Sequence, residues 1–154
     1  MHTRMEIPEI GVEEAKRRLD GGQGYVYLDV RTVPEFAAGH PPGALNVPIV
    51  LLDPTTGQMV LNETFVQVVE ANVTKDARLV VGCRTGQRSE TASHMLLQAG
   101  YVDVANVAGG FAGITDADGQ VVVEGWSTLP FPIERGAGGE RSYDSLRHGS
   151  IAAP

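Results

Sequence analysis

The chain has 154 residues, of which 42% are hydrophobic, a length and composition that predict a single globular domain of ordinary size. A formal charge of -7 argues against a protein that binds nucleic acid through its phosphates, because that affinity comes from clustered Lys and Arg. No apolar run approaches the ~20 residues that span a bilayer, and the start "MHTRMEIPEI" lacks the apolar core of a signal peptide, so we expect no membrane partner and a cytoplasmic location.

The first part of the chain predicts a helix, a buried strand and a second, short helix. The stretch "GVEEAKRRLDGG" has apolar residues at helical spacing, acidic residues early, basic residues late and a glycine at the end. The run "YVYLDV" over 25–30 is apolar on both faces, as in a strand inside a parallel sheet. Pro34 then opens a helix of one or two turns in "VPEFAAG".

The middle of the chain predicts more strands and helices in alternation. The stretch "NETFVQVVEANV" is a helix that Asn62 can cap, and "ARLVVGC" over 77–83 is a second buried strand. The stretch 87–100 continues as a helix, and "VDVANV" over 102–107 is another strand. This alternation predicts an α/β sandwich, with a mostly parallel central sheet and helices on both faces.

Two segments near the C-terminus depart from this pattern. The stretch "ITDADGQVVVEG" over 114–125 has an Asp-Gly turn signal before a valine run, so it is a hairpin or an extended surface loop inserted into the domain. The segment 134–154 is rich in Gly and Ser, which predicts a flexible or surface-draped tail after a domain that spans 1–133.

The only cysteine, Cys83, lies in the sequence "LVVGCRTGQRSETA" at a predicted strand-to-helix turn. In open α/β folds such a turn at the carboxyl end of the sheet is where ligands bind. The helix N-terminus, Arg84 and Arg88 favour an anion there, including a thiolate at Cys83. Gly86 allows the turn to adopt a positive φ, so that backbone N–H groups can face the anion.

A lone cysteine excludes an internal disulfide, a Cys-x-x-Cys redox pair and a thiolate-rich zinc site. The segment "DADG" over 116–119 is not followed by the regular oxygen ligands of an EF-hand, so we predict no metal and no cofactor. A single free cysteine is more often an inert hydrophobe than a nucleophile. The Cys-x-x-Gly-x-Arg arrangement at the turn favours the nucleophile.

Three stretches make the chain resemble a single-domain rhodanese, a thiosulfate sulfurtransferase, over roughly residues 5 to 133. They are "LDVRTVPEFAAGHPPGALNVP" over 28–48, "CRTGQRS" over 83–89 and "NVAGGF" over 106–111. The resemblance implies the rhodanese-like α/β sandwich. In family members a tryptophan usually follows the Gly-Gly pair within a few residues, whereas here the stretch 114–125 separates it from Trp126.

The resemblance implies that Cys83 is the catalytic nucleophile, which takes the outer sulfur of thiosulfate as a persulfide and passes it to cyanide or a thiol. Arg84 and Arg88 are the candidates for binding the sulfonate, because a guanidinium offers paired donors to an oxyanion. Thr85, Gly86 and Gln87 would line the loop and contribute backbone N–H groups. Small-molecule donor and acceptor are therefore the expected partners, together with a protein sulfur acceptor.

Loop length separates the sulfurtransferase from a phosphatase built on the same fold. Related phosphatases use Cys-x5-Arg, a longer loop whose arginine would fall at position 89, which is serine here. Arg88 closes a loop one residue shorter, as in the sulfurtransferases.

The resemblance also assigns a supporting role to Asp29, Arg31 and Glu35, as an ion-pair and hydrogen-bond set that fixes the sheet edge near the loop. Such pairs commonly serve packing, so we predict structural support here and no direct catalysis. A second function stays open on the same residues: a sulfur-carrier or redox-sensing module whose Cys83 is loaded by a protein partner. An inactive docking domain is disfavoured, because the nucleophile is present.

Overall fold

The computed structural model describes residues 6–149 and is built on a five-stranded sheet in which every neighbouring pair is parallel. The strand order across the sheet is β1-β7-β6-β2-β3. Numbered along the chain, these strands are β1 (Glu9–Ile10), β2 (Tyr25–Asp29), β3 (Leu45–Asn46), β6 (Arg78–Gly82) and β7 (Asp103–Val107). The remaining strands form two antiparallel hairpins, β4 (Val50–Leu52) with β5 (Met59–Leu61), and β8 (Ile114–Thr115) with β9 (Val121–Val123).

The α-helices of the described residues are α1 (Val12–Asp20), α2 (Val33–Ala38), α3 (Phe65–Asn72), α4 (Gln87–Gln98) and α5 (Tyr143–Gly149). Helix α2 starts where the sequence supplies a capping box: the backbone N–H of Glu35 donates to the Thr32 hydroxyl, and the Glu35 carboxylate accepts from the Thr32 backbone. Among residues 6–149, no helix is long and apolar enough to cross a membrane.

The sheet separates two hydrophobic clusters, because successive side chains of a strand point to opposite faces. Leu28, Leu79 and Val81 face a cluster that contains residues of α3, α4 and α5. Tyr27 and Val80 face the other cluster, to which α1 and α2 contribute. Helices therefore cover both faces, and the predicted α/β sandwich with a mostly parallel sheet is confirmed.

The elements that the sequence did not predict are short or exposed. Strands β1 and β3 have two residues each and lie at the edges of the sheet. The hairpin β4–β5 carries Leu52, Met59 and Leu61, each about half exposed or more. Neither kind of element has the long apolar run that marks a buried strand.

Over the residues that the structure describes, 134–149, the C-terminal segment forms helical turns that pack on the domain. A 3₁₀ turn at Gly139–Arg141 leads into α5, and Leu146 is buried in the cluster that also contains α3. Asn62 donates to the Tyr143 hydroxyl, and Asn72 donates to the carbonyl of Leu146. Tyr143 and Leu146 lie three positions apart, so both side chains are on one side of α5, and they hold the segment to the domain. The Gly and Ser content around this apolar pair gave no sign of a packed helix. Residues 150–154 lie outside the described residues.

Candidate active site

Cys83 follows β6 directly and lies at the carboxyl end of the sheet, one residue after Gly82. The chain turns over residues 84–86 and enters α4 at Gln87, with Gly86 at the N-cap in a left-handed conformation, φ 117°. That conformation lets the Gly86 N–H donate to Cys83 Sγ over 3.1 Å. The sulfur therefore sits at a helix N-terminus, where a backbone donor and the helix dipole favour negative charge.

A serine hydroxyl provides the second polar contact of the sulfur. Ser89 lies on the first turn of α4, is fully buried, and has its Oγ 3.3 Å from Cys83 Sγ. The same hydroxyl reaches the side-chain oxygen of Asn106 on β7. Cys83 itself is 1% exposed, so the thiol lies beneath its loop.

The Gly-Gly motif after β7 packs directly on the backbone of the cysteine loop. The carbonyl of Cys83 accepts from the Phe111 N–H over 2.8 Å, and the carbonyl of Arg84 accepts from the Ala112 N–H over 2.9 Å. A Cβ atom at Gly110 would lie 2.3 Å from the Cys83 carbonyl oxygen, a distance that no side chain can occupy. Glycine at this position is thus a condition for closing the loop.

The stretch 114–125 forms the hairpin β8–β9, and the chain after it returns to the Gly-Gly motif. After the hairpin, the Trp126 N–H donates to the carbonyl of Gly110 over 2.9 Å. The indole ring is buried and packs edge-on against Tyr27 and Phe131. The tryptophan therefore lies beside the Gly-Gly pair although the hairpin separates them in sequence.

Arg88 points to a carboxylate on the neighbouring helix. Its Nη1 and Nη2 atoms donate to the two carboxylate oxygens of Glu35 over 2.8 and 3.0 Å. Both side chains are about 30% exposed. This bidentate pair joins α4, directly after the cysteine loop, to the capping box of α2, and it occupies the guanidinium face that would otherwise be offered to an anion.

Glu35 makes the stability of the protein sensitive to acid. Burial raises the pKa of this carboxyl group, but the hydrogen bonds from Arg88 and from Thr32 outweigh burial and lower the pKa to about 2. Because the folded-state pKa lies below the ordinary value of 4.5, the pair contributes stability above about pH 4.5 and loses it as the pH falls toward 2. Its contribution at neutral pH is at most about 3 kcal/mol, and solvent screening reduces it further.

We therefore expect the wild-type protein to lose more stability than Glu35→Gln as the pH falls from 5 to about 2.5. Urea midpoints measured across that range test this expectation. Glu35→Gln is the matched control, because glutamine keeps the shape of the side chain and does not titrate. Parallel losses in both proteins would show that Glu35 does not carry this sensitivity.

The remaining predicted loop residues lie at the surface around the cysteine. Arg84 is exposed, and within residues 6–149 its guanidinium makes no ion pair or hydrogen bond. Thr85 is partly buried and Gln87 is exposed. Within the same range, no group of three or more His, Cys, Asp and Glu side chains lies close enough to hold a metal ion.

Asp29 and Arg31 form a buried ion pair at the end of β2, but Glu35 does not join it. Arg31 Nη2 donates to Asp29 over 2.7 Å and to the Gly39 carbonyl over 2.6 Å, with both side chains at most 5% exposed. Burial lowers the pKa of Arg31, yet the bonds to Asp29 outweigh burial and raise it. The implied set of three thus divides into two: Asp29 with Arg31, and Glu35 with Arg88 and Thr32. The Glu35 carboxylate instead closes the capping box with Thr32 and pairs with Arg88 of α4.

The structure thus brings Cys83, Gly86 and Arg88 together around one turn. It adds residues that the analysis of the sequence did not single out, namely Ser89 and Asn106, which contact Cys83 or its loop. Both stand inside the quoted stretches "CRTGQRS" and "NVAGGF", so the signal was present in those motifs. Glu9, which binds Asn106, stands in no motif and has no signal in the sequence.

Comparison with known proteins identifies the family. A family model described as "Rhodanese-like domain" matches residues 11–117. The Arabidopsis thaliana protein named thiosulfate sulfurtransferase 18 is 37% identical over 113 residues, which cover 72% of this chain and 80% of that protein. The Arabidopsis thaliana rhodanese-like domain-containing protein 15, chloroplastic, is 41% identical over 93 residues, or 60% of this chain. The putative sulfur carrier protein YrkF of Bacillus subtilis is 30% identical over 104 residues, or 68% of this chain.

The matches with these last two relatives span about half the length of each relative, 50% and 49%. Among solved structures, the crystal structure of Rv0390 from M. tuberculosis aligns with a TM-score of 0.71 and 24% identity, over 86% of this chain and all of that one. That likeness supports the fold. On the match of the family model, the chain belongs to the family of rhodanese-like domains.

Proposed function

We propose that the protein is a sulfurtransferase that moves the outer sulfur of thiosulfate to cyanide or a thiol through a persulfide on Cys83. The observation that carries this proposal is the position of the Cys83 sulfur, which accepts a hydrogen bond from the Gly86 N–H at the N-terminus of α4. A negatively charged sulfur is stabilised at such a place both before and after it is loaded.

The reaction is a covalent transfer in two steps. In the first, the Cys83 thiolate attacks the outer sulfur of thiosulfate, a new S–S bond forms, and the S–S bond of thiosulfate breaks so that sulfite leaves with the electron pair. The products are the Cys83 persulfide anion and sulfite, so the charge is unchanged. In the second, cyanide attacks the terminal sulfur, thiocyanate leaves, and the Cys83 thiolate is restored.

Arg84 is the stronger candidate for binding the sulfonate, and Arg88 the weaker. Arg88 is engaged with both carboxylate oxygens of Glu35, whose charge offsets its own. Arg84 is exposed and directly adjoins the nucleophile. A free guanidinium can place two donors on an oxyanion, which is the geometry a sulfonate requires.

We expect Arg84→Ala to raise the KM for thiosulfate about tenfold and to leave kcat within about twofold, because the arginine binds an anionic group that is present before and after the bond changes. Steady-state thiocyanate formation with cyanide as acceptor measures both constants. Arg17→Ala is the matched control, since it removes an exposed arginine of α1. An unchanged KM in Arg84→Ala would remove Arg84 from the anion site.

The short loop favours sulfur transfer over phosphate chemistry. At position 89, where the longer phosphatase loop has its arginine, Ser89 points inward to Cys83 Sγ. No cation therefore faces the sulfur from that position.

A second candidate is a sulfur carrier whose Cys83 receives sulfur from a protein. The similarity to a putative sulfur carrier protein and the 1% exposure of Cys83 favour it, because a partner can open the loop as it docks. Intact-mass spectrometry after incubation with thiosulfate separates the two. A gain of one sulfur atom, removed by cyanide, supports the sulfurtransferase. The carrier is supported if thiosulfate leaves the protein unmodified but a donor protein that carries a cysteine persulfide loads Cys83.

A further inference from the structure

A chain of polar contacts runs from Cys83 through the buried Ser89 and Asn106 to Glu9, which is exposed on the edge strand β1. Ser89 Oγ lies 3.3 Å from Cys83 Sγ and 3.2 Å from the Gly86 carbonyl, and it also contacts the Asn106 side-chain oxygen. Asn106 Nδ2 lies 3.0 and 3.1 Å from the two carboxylate oxygens of Glu9. Ser89 and Asn106 are almost completely buried, so water does not replace these contacts.

The surroundings of Asn106 determine which way its amide faces. Nδ2 has three oxygens in reach, two from Glu9 and the Gly86 carbonyl at 3.1 Å, and none of them carries a hydrogen. A flipped amide would place its own oxygen against these three acceptors. The amide nitrogen therefore faces Glu9 and Gly86, and the amide oxygen faces Ser89.

This orientation determines the direction of the Ser89 hydroxyl. The hydroxyl has a single proton and three acceptors in reach: Cys83 Sγ, the Gly86 carbonyl and Asn106 Oδ1. Gly86 already accepts from Asn106, whereas the Asn106 oxygen depends on Ser89 for its donor. While Cys83 is a thiol, Ser89 donates to Asn106 and presents a lone pair that can accept the S–H proton.

A thiolate or persulfide anion at Cys83 needs the opposite arrangement. An anionic sulfur has no proton to give, so the Ser89 hydroxyl contributes only if it turns toward the sulfur. That rotation leaves the buried Asn106 oxygen without a donor, which is costly away from water. Asn106 and the sulfur anion thus compete for the same proton.

We infer that Asn106, oriented by Glu9 and the Gly86 carbonyl, is a positioning residue that holds the Ser89 hydroxyl away from Cys83 and so limits the stabilisation of the Cys83 anion that the Gly86 N–H and the N-terminus of α4 provide. The inference rests on the proposed function only in taking Cys83 as the reacting group. The charged side chain that contacts this network is Glu9 of β1, while Arg88, on the same helix as Ser89, is paired with Glu35 of α2. Asn106 acts through Ser89 and touches neither donor nor acceptor.

The test is the rate at which iodoacetamide alkylates Cys83 at pH 7, followed by intact mass. Because the chain has one cysteine, the adduct reports that sulfur alone. Asn106→Leu keeps the side-chain volume and removes the Asn106 acceptor, although the Gly86 carbonyl loses its Asn106 donor and can still accept from Ser89. We therefore expect alkylation about two- to fivefold faster than in wild type, at most the effect of one net hydrogen bond. In a Ser89→Ala background the same substitution should change the rate by less than about 1.5-fold, because no hydroxyl remains to redirect.

The double-mutant comparison distinguishes a change in the direction of the Ser89 hydroxyl from a general loosening of the cysteine loop. A substitution that merely loosens the loop would also speed alkylation, but that increase would persist with Ser89→Ala. Ser93→Ala and Asn62→Leu are matched controls: both positions are buried, Ser93 lies one turn further along α4, and Asn62 bonds the Pro48 carbonyl. Both controls should alkylate at the wild-type rate. If Asn106→Leu does not fold, Asn106→Ala, which has a smaller side chain, gives the same test.

Two results would overturn the inference: equal alkylation rates in wild type and both Asn106 variants, or an increase that survives in the Ser89→Ala background. Neither depends on thiosulfate. If wild type gains no sulfur from thiosulfate while the alkylation rates behave as expected, the proposed function fails and the inference stands. If wild type is loaded but the rates do not change, the function stands and the inference fails.

Discussion

Cys83→Ser is expected to abolish sulfur loading, with a fall in thiosulfate turnover on the order of 10⁴-fold or more, as when other covalent enzymes lose their nucleophile. A serine hydroxyl is hardly ionised at neutral pH and does not form a persulfide. The measurement is intact mass after incubation with thiosulfate, together with thiocyanate formation in the presence of cyanide. Wild type should gain one sulfur atom that cyanide removes, and the variant should gain none.

The control for this variant is its stability, because Cys83 is buried in the cluster shared with α3 and α4. Serine replaces the sulfur with a smaller, polar atom that keeps the contacts to the Gly86 N–H and the Ser89 hydroxyl, so we expect a cost of about 1–2 kcal/mol and a folded protein. A folded variant that still gains sulfur would contradict the proposed role of Cys83. Since no other cysteine exists, that result would also exclude transfer through any thiol of the chain.

The parts of the fold that could be predicted are those with a strong local pattern. Strands β2, β6 and β7 are largely buried on both faces and stand as mostly apolar runs, and helices α1 and α4 end within two residues of a glycine. Strands β1 and β3 are two residues long, and their pairing depends on neighbours far away in sequence. No local pattern could identify them. The cytoplasmic location stays a prediction.

In the candidate site, too, the local features could be predicted and the contacts between distant residues could not. The turn from Cys83 to Gly86 is local, so its geometry followed from the order of strand, glycine and helix. The partners of Arg88 and Asn106 are not local: Arg88 binds Glu35, 53 positions away, and Asn106 binds Glu9, 97 positions away. A guanidinium near a cysteine predicts an anion site only if no carboxylate of the protein reaches it first, and that depends on the packing of α2 against α4.

The second large effect is expected from Asp29→Leu, at the buried end of β2. Asp29 accepts from the backbone N–H and from the guanidinium of Arg31, and Arg31 is 4% exposed. Removing the carboxylate leaves a buried, unpaired positive charge, which costs about 3–5 kcal/mol. Because a domain of this size has a total stability of about 5–15 kcal/mol, chemical denaturation should show a large decrease in midpoint. Glu14→Gln, which breaks surface ion pairs on α1, should leave the midpoint close to that of wild type.

The variant Asp29→Leu with Arg31→Met shows whether the unpaired charge is the cause. If it is, the double variant is more stable than Asp29→Leu alone, although Arg31 also donates to the Gly39 carbonyl and lies 4.4 Å from the ring centre of Phe111, contacts that methionine only partly replaces. If the double variant is no more stable than Asp29→Leu, the lost stability comes from the backbone contacts of Asp29 and not from the unpaired charge.

Asp29 is paired in register with Gly82, the residue before the nucleophile. Sulfur loading by the folded double variant then tests whether this ion pair supports the loop through packing alone, in which case the loading rate should stay near that of wild type.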